Sequence, residues 1–382
     1  MRFEFATAGR ILFGPGTLRE VGPLAREFGT RVLVVTGRDR NRAAALADSL
    51  IANGVECFFF SISGEPETAT VESGVALAKE HQCEFVVAMG GGSAIDAGKA
   101  ISAMLTNPGV LLDYLEVIGR GKSLAKAAAP FIAVPTTAGT GSEVTRNAVL
   151  ASPEHRVKVS LRSPLMLPRV AVVDPELTYA LPPAITASTG LDALTQLIEP
   201  FVCARANPMV DALCIEGIRR AARSLREVVH QNPGKSARED MALASLFGGI
   251  ALANAGLGAV HGFAGPMGGM FAAPHGALCA ALLPGVMAAN VAALRRRQPG
   301  GEGLRRYDEI ARLLTGAAQA DAGIEWVRLL VGDLQIPRLR TYGINHEHIA
   351  ELVEKALQSS SMKANPIALT RDELGEALSG AI

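Results

Sequence analysis

A chain of 382 residues exceeds what one hydrophobic core usually organises and fits two packed domains. Lysine plus arginine balance aspartate plus glutamate at 37 each, so the formal net charge is zero and the basic footprint of a nucleic-acid binder is excluded. With 49% hydrophobic and only 19% charged residues, the composition excludes a disordered chain and fits a core-rich globular one.

The five cysteines, Cys57, Cys83, Cys203, Cys214 and Cys279, are scattered without a C-x-x-C pair. That pattern predicts neither a zinc ribbon nor a disulfide framework and fits reduced thiols in a cytoplasm. The opening MRFEFATAGR lacks an apolar signal core, and no uninterrupted apolar run reaches the length of a bilayer span. A cytoplasmic protein with no membrane contact is expected.

In chain order, RVLVVT (31–36), ECFFF (56–60), EFVVAM (84–89), FIAVP (131–135) and VAVVD (170–174) are short β-branched or aromatic runs, continuous as buried parallel strands are. Helical spacing of apolar positions marks 17–28, 40–53 and 68–81. Alternating strand and helix predict an α/β domain with a doubly wound parallel sheet. VTRNAVLAS (144–152) and RVKVSL (156–161) predict a β-hairpin standing off that sheet. Past Leu181, where Pro182 and Pro183 break the chain, only Ala- and Leu-rich helical patterns follow. The predicted division is therefore an α/β domain over 1–180 and an all-helical domain over 181–382. Within the second, the 54 residues from Met241 to Leu294 hold no Asp, Glu, Lys or Arg, yet include His261 and His275. Gly248, Gly249, Pro266 and Pro274 interrupt this stretch too often for a bilayer helix, so it reads as the buried heart of the helical domain.

Three elements carry chemistry. EFVVAM runs into Gly90-Gly91-Gly92-Ser93 and then AIDAGKAISAML (94–105), a strand, a glycine turn and a helix start. Glycines let the backbone approach a ligand closely while free N–H groups and the helix dipole face it, so a pyrophosphate is the expected occupant. GGGS by itself also fits a plain tight turn; its place at the carboxyl end of a parallel strand favours the ligand and makes the first domain dinucleotide-binding. The second element follows FIAVP: Thr136-Thr137-Ala138-Gly139-Thr140-Gly141-Ser142-Glu143, whose hydroxyls can bind ribose and phosphate without adding charge. The third is TASTGLDALTQLIEP (186–200), with Asp192 and Gln196 on one helix face, together with His261 and His275. Imidazoles and a carboxylate in an uncharged surround are costly unless they share a cation, so a divalent metal on Asp192, His261 and His275 is predicted.

GGGSAIDAGK (90–99), PTTAGTGSEVT (135–145), VDPELT (173–178), TGLDALT (189–195), His261-Gly262 and PHG (274–276) resemble the iron-containing, or group III, alcohol dehydrogenases, which share their fold with glycerol dehydrogenase and dehydroquinate synthase. The resemblance runs from FGPGTL (13–18) to NPIALT (365–370). It implies a cleft between the two domains holding NAD or NADP, a small alcohol or carbonyl substrate on a metal, Fe2+ or Zn2+, and a homodimer. Position by position, it gives Gly91, Gly92 and Ser93 to the pyrophosphate and Thr136, Thr137, Thr140 and Ser142 to the adenosine and nicotinamide portions. Lys158 matches a lysine that reaches the nicotinamide ribose, and Leu177 a leucine near the adenosine. The implied metal positions are Asp192, Gln196, His261 and His275, with His261 and His275 also as catalytic groups.

The chain departs from that pattern in three places. Gln196 offers an amide where the family has an imidazole, and Gly265 stands where a further histidine is common. An amide oxygen is a weaker ligand for iron or zinc, so the expectation is an atypical, weakened metal site, or a metal-independent reductase of an activated carbonyl in which His261 or His275 is the acid. Carbonyl reduction is the expected direction. After RVLVVT the family usually carries Asp; here Gly37-Arg38-Asp39-Arg40 follow, removing the carboxylate that repels a 2′-phosphate and leaving both NAD and NADP open. Phe263, Met267, Met270 and Phe271 are expected to line a small, partly apolar substrate pocket. A lyase of the dehydroquinate synthase kind ranks low because the uncharged stretch has no basic residues for a phosphorylated acid; a non-catalytic cofactor-binding relative ranks low because the glycine and threonine loops are intact.

Overall fold

The computed structural model describes residues 2–155, 157–230 and 234–382. The chain forms two compact units, Ala6–Thr137 with Gly141–Ala180, and Leu181–Ile382 with Ala138–Thr140 and the stretch ending at Phe5.

The first unit contains strands β1 (Arg10–Phe13), β2 (Arg31–Thr36), β3 (Glu56–Ser61), β4 (Phe85–Gly90), β5 (Phe131–Pro135), β6 (Asn147–Ser152), β7 (Val157–Arg162) and β8 (Val170–Val173). Its helices are α1 (Val21–Arg26), α2 (Ala44–Ala52), α3 (Thr68–Glu80) and α4 (Gly92–Thr106). Six strands form one parallel sheet in the order β1-β8-β5-β4-β2-β3, and β6 and β7 pair as the antiparallel hairpin. Successive strand residues face opposite sides and split the core in two. Val32 and Val34 pack with Val21, Leu46 and Leu50, whereas Leu33 and Val35 pack with Ile95 and Ile101. Burial on both faces is why these strands read as continuous apolar runs. The chain leaves β2 for β3 on one side and returns to place β4 on the other, so the strand order reverses between β2 and β4. Ligands of open α/β sheets bind at the carboxyl ends of strands around such a reversal.

β1 carries no sequence-pattern signal, since RILF is four residues long and pairs on one side only, Arg10 opposite Val170 through Phe13 opposite Val173. What fixes it is the polar turn after it. The buried Asp174 carboxylate accepts hydrogen bonds from Gly16 N at 3.1 Å, Leu18 N at 3.1 Å and Glu176 N at 3.0 Å, and Gly16 sits at φ 79°. FGPGTL and VDPELT are thus two halves of one fastening. The predicted helices over 17–28 and 40–53 each open with a 3-10 turn, Thr17–Glu20 and Arg40–Ala43, before α1 and α2.

Behind α4, the fully buried Lys99 ammonium donates to Ser142 O at 2.9 Å, Thr145 Oγ1 at 2.8 Å and Asn147 O, and meets Asp96 Oδ1 at 3.2 Å. Asp96 Oδ2 accepts from Val149 N at 3.1 Å. The glycine-loop helix is in this way tied to the threonine loop and the hairpin. Burial lowers the Lys99 pKa against the pull of Asp96, and raises that of Asp96 against the pull of Lys99.

The second unit holds α5 (Pro183–Val202), α6 (Pro208–Val229), α7 (Lys235–Asn254), α8 (Ala259–Met270), α9 (His275–Arg297), α10 (Glu302–Thr315), α11 (Ala320–Asp333), α12 (Ile349–Gln358) and α13 (Arg371–Ser379), with no strand among the described residues. One hydrophobic core runs through all nine. The uncharged stretch supplies most of α7, all of α8 and most of α9. By length and composition α9 could cross a membrane, but 72% of its apolar window is buried, as in a core helix. Phe263 and Met267 are fully buried in that core, and Met270 and Phe271 are partly buried against it. Phe263 belongs to an α8 face sequestered by its neighbours, and composition does not tell such a face from a ligand-facing one.

Replacing Lys99 with methionine retains volume but strands the Asp96 carboxylate and two carbonyls. Urea denaturation of Lys99→Met at neutral pH should show a loss of about 3–5 kcal/mol, the usual cost of removing one partner of a buried pair. A change below about 1 kcal/mol would mean that this network does not hold the loops together.

Candidate active site

In the first unit, α4 starts directly at the end of β4. Gly91 is its N-cap, with φ −73° and ψ −175°, and no side chain caps the helix, so geometry leaves its first N–H groups without intrahelical partners. Gly92 and Ser93 occupy the first turn, two residues earlier than the AID start expected from sequence. A Cβ on Gly90 would lie 2.6 Å from Ala94 Cβ, and one on Gly91 would lie 3.5 Å from Thr137 Cγ2. Thr136 N donates to Gly90 O at 2.9 Å, which joins the two loops edge to edge. The result is a glycine-surfaced cradle with unpaired N–H groups at the strand-order reversal, suited to an anion such as a pyrophosphate.

The other sequence-predicted binding residues fall as follows. Ser142 lies in the 3-10 turn Ser142–Val144, its carbonyl held by Lys99. Lys158, on β7, pairs with Glu65 Oε1 at 3.1 Å. Leu177, in the turn after β8, packs against the cluster containing Val32 and Val34. Thr140 groups with the helical unit.

In the second unit the structure brings Asp192, His261 and His275 together with a residue the sequence reading passed over, Cys279. One potential ligand atom from each lies within 4.8 Å of all the others. Asp192 Oδ1 is 3.5 Å from His261 Nε2 and 3.8 Å from His275 Nε2. Cys279 Sγ is 3.6 Å from His275 Nε2 and 3.8 Å from His261 Nε2. Asp192 Oδ1 is buried and makes no hydrogen bond. Burial opposes charge on all three titratable partners, yet their mutual attraction wins: it raises His261 and His275, chiefly through Cys279 and Asp192, and lowers Asp192 through His275 and His261.

Local sequence explains the placement. His261 Nδ1 meets Glu199 Oε2 at 2.6 Å, while Glu199 Oε1 accepts from Val260 N at 2.7 Å. Glu199 thus caps α8 and turns His261 Nε2 towards Asp192. A Cβ on Gly258 would lie 2.7 Å from Glu199 Oε1, so any larger residue there would displace this carboxylate. Asn365, of NPIALT, completes this end of α8 by accepting from Ala259 N at 3.1 Å while donating to Asn290 Oδ1 at 2.7 Å and Ile367 O at 2.8 Å. At α9, Gly276 explains the PHG triplet: a Cβ there would lie 2.5 Å from Ser188 O and 3.3 Å from Asp192 Cβ, so only glycine lets His275 reach α5. Gln196 is buried on α5, its Nε2 donating to Gly139 O at 3.0 Å. Cys279 and Glu199 had a legible signal, since each lies on the same helix face as a chosen residue, four after His275 and seven after Asp192.

The family model described as iron-containing alcohol dehydrogenase matches residues 8–175, and that described as the C-terminal part of the Fe-containing alcohol dehydrogenase family matches residues 186–382. The chain is 35% identical to a 1,3-propanediol dehydrogenase of Klebsiella pneumoniae over 95% of both chains. Among solved structures, a 1,3-propanediol oxidoreductase superposes with a TM-score of 0.92 at 34% identity, covering 100% of both chains. The sulfoacetaldehyde reductase of Bifidobacterium kashiwanohense, solved in complex with NAD+, superposes with a TM-score of 0.88 at 31% identity, covering 100% of this chain and 99% of that one.

The close approach at Gly276 is testable by a single methyl group. Gly276→Ala must push α9 from α5, and thermal unfolding should show a loss of about 1–3 kcal/mol, as for other overpacked contacts. An unchanged Tm would mean that the α5–α9 contact yields freely.

Proposed function

Because the chain belongs to the iron-containing alcohol dehydrogenase family, we propose that it is an NAD(P)-dependent oxidoreductase interconverting a small alcohol and its aldehyde or ketone by hydride transfer, with carbonyl reduction the favoured direction. The observation that carries this reading is Asp192 Oδ1, a buried carboxylate oxygen with no hydrogen bond, faced by two imidazoles and a thiol. That donor set fits a divalent cation. When bound, such a cation supplies positive charge opposite the substrate oxygen while hydride moves to or from the nicotinamide.

The chain's own groups divide the remaining work. Asp192, His261 and His275 hold the cation, with Gln196 at the fourth position the family resemblance assigns. Glu199 fixes the His261 tautomer by binding Nδ1, which leaves Nε2 free to ligate. Gly91, Gly92 and Ser93 take the cofactor pyrophosphate on the α4 N-terminus, and Thr136, Thr137, Thr140 and Ser142 supply hydroxyls and carbonyls to its adenosine and nicotinamide ends. Lys158 binds the nicotinamide ribose once released from Glu65, and Leu177 packs near the adenosine. The NAD+-bound reductase among the structural relatives supports both the cofactor class and the direction.

A metal-independent reductase is the second reading, favoured by the exposure of His275. Its side chain is 34% accessible against 7% for His261, so it is the imidazole that can draw a proton from water and pass it to a carbonyl oxygen as hydride arrives.

Cofactor choice rests on the end of β2. A Cβ on Gly37 would meet nothing within 4 Å, the Asp39 carboxylate accepts from Asn41 N at 3.0 Å, Arg38 Nε donates to Ser63 Oγ at 3.2 Å, and the Arg40 guanidinium lies 3.7 Å from the Phe59 ring centre. No carboxylate stands at the position that rejects a 2′-phosphate, so NADP(H) is accepted alongside NAD(H).

Two measurements test these readings. Chelation should abolish carbonyl reduction, and zinc or ferrous iron should restore it; full turnover in protein shown to be metal-free would overturn the metal-dependent reading in favour of His275 as acid. Gly37→Asp should lower kcat/KM for NADPH by about 10- to 100-fold through charge repulsion and leave NADH nearly unchanged. An equal effect on both cofactors would remove position 37 from the specificity argument.

A further inference from the structure

Gln196 is the weak member of the ligand set, and the structure gives its amide nitrogen a different task, donation to Gly139 O. One turn after His275, on the face of α9 that meets α5 and α8, lies a buried side chain with better ligand chemistry. Cys279 Sγ faces both imidazoles at 3.6 and 3.8 Å. The two imidazoles face Asp192 Oδ1 at 3.5 and 3.8 Å. A tetrahedral centre with metal–nitrogen and metal–oxygen bonds of about 2.0–2.1 Å and a metal–sulfur bond of about 2.3 Å has donor–donor edges of about 3.3–3.6 Å. Two of the four measured edges fall within that range and two exceed it by about 0.2 Å, so four donors from three helices, α5, α8 and α9, close around one point. The second, independent sign of a ligand is the buried Asp192 oxygen aimed into the cluster without a hydrogen bond.

We propose that Cys279 is the fourth protein ligand of this site, in place of Gln196, and that the resulting Asp192-His261-His275-Cys279 centre selects zinc. The inference rests on the metal-dependent reading above. On binding, the Cys279 S–H bond breaks, the proton leaves to solvent and the thiolate sulfur forms the bond to the cation; no electron transfer is involved. Imidazole, carboxylate and thiolate together suit borderline-soft zinc, whereas an all-imidazole and carboxylate set is equally at home with ferrous iron. Zinc also accepts a fifth ligand, so four protein donors leave room for a substrate oxygen. Glu199 behind His261 supplies the outer carboxylate such centres use to orient a histidine.

The test loads the full-length, chelator-stripped protein with cobalt(II) and records its absorption. Wild type should show the intense near-ultraviolet band of thiolate-to-cobalt charge transfer together with the weaker visible bands. Cys279→Ser should lose the charge-transfer band, keep visible bands from the remaining ligands, and bind zinc at least about a hundredfold more weakly in competition with a chromophoric chelator, beyond the cost of losing an outer-sphere partner. Gln196→Ala should retain the charge-transfer band. Cobalt bound to wild type without that band overturns the Cys279 assignment and leaves the metal-dependent reading standing. Failure of wild type to bind cobalt or zinc at all overturns both. Protein from cells supplied equally with iron and zinc should carry zinc; iron in its place overturns the selectivity.

Discussion

A carboxylate enclosed by uncharged helices dictates the chemistry of the helical unit. Asp192 is 1% exposed on α5, and the neighbouring segment of the core is contributed by 54 residues without one formal charge. An ionised carboxylate in such a place costs several kcal/mol unless positive charge is brought to it. His261 and His275 can bring it as protons, and a divalent cation can bring it in a more concentrated form. Everything around the cluster positions those counter-charges: Glu199 anchors the far side of His261, the absence of a side chain at Gly258 admits that anchor, and the absence of one at Gly276 admits α9.

The α/β unit uses buried charge differently. Lys99 and Asp96 satisfy one another and several backbone groups, so their network is mechanical, joining α4 to the threonine loop. Glu143, on that loop, is fully buried, and burial raises its pKa to about 7 against the pull of Lys99. Asp174 performs the same kind of fastening at the other edge of the sheet, holding the turn after β1 through two backbone N–H groups and its own turn through a third. Polar residues are thereby spent on fixing loops, while the start of α4 is left to glycine and N–H groups without intrahelical partners. That division suits a polyanionic cofactor, since a cradle of backbone dipoles needs no mobile cation to bind it.

How much of this was legible in sequence follows from which forces act locally. The four interior strands of the sheet were readable because burial on both faces writes itself as uninterrupted apolar residues, and the β3 edge because its aromatic run is half-buried. β1 was not, because a four-residue edge strand is fixed by Asp174, more than 150 residues away. Asp192, His261 and His275 stood out as polar groups in apolar surroundings, and the structure does gather them. For Cys279 the one signal was its place on the His275 helix face, four residues on, and it is weak because a cysteine in a helix core looks like any small hydrophobe. Phe263 and Met267 pose the complementary difficulty: an apolar residue near a buried histidine is as consistent with core as with pocket, and the structure shows both fully buried.

The two departures from the family pattern in the helical unit have opposite physical consequences. At position 196, the amide that replaces an imidazole is absorbed by the structure, buried and bonded to Gly139 O, so it leaves no void and no unsatisfied donor on that side. At position 265, one turn beyond His261 on α8, a Cβ would meet nothing within 4 Å, so the missing side chain leaves open room. A site altered in this way keeps its charge requirement at Asp192 but loses imidazoles from two directions. The counter-charge must then be held by what remains on α8 and α9, and of the described His, Cys, Asp and Glu side chains, His261, His275 and Cys279 are those that close around Asp192 within ligand distance of one another.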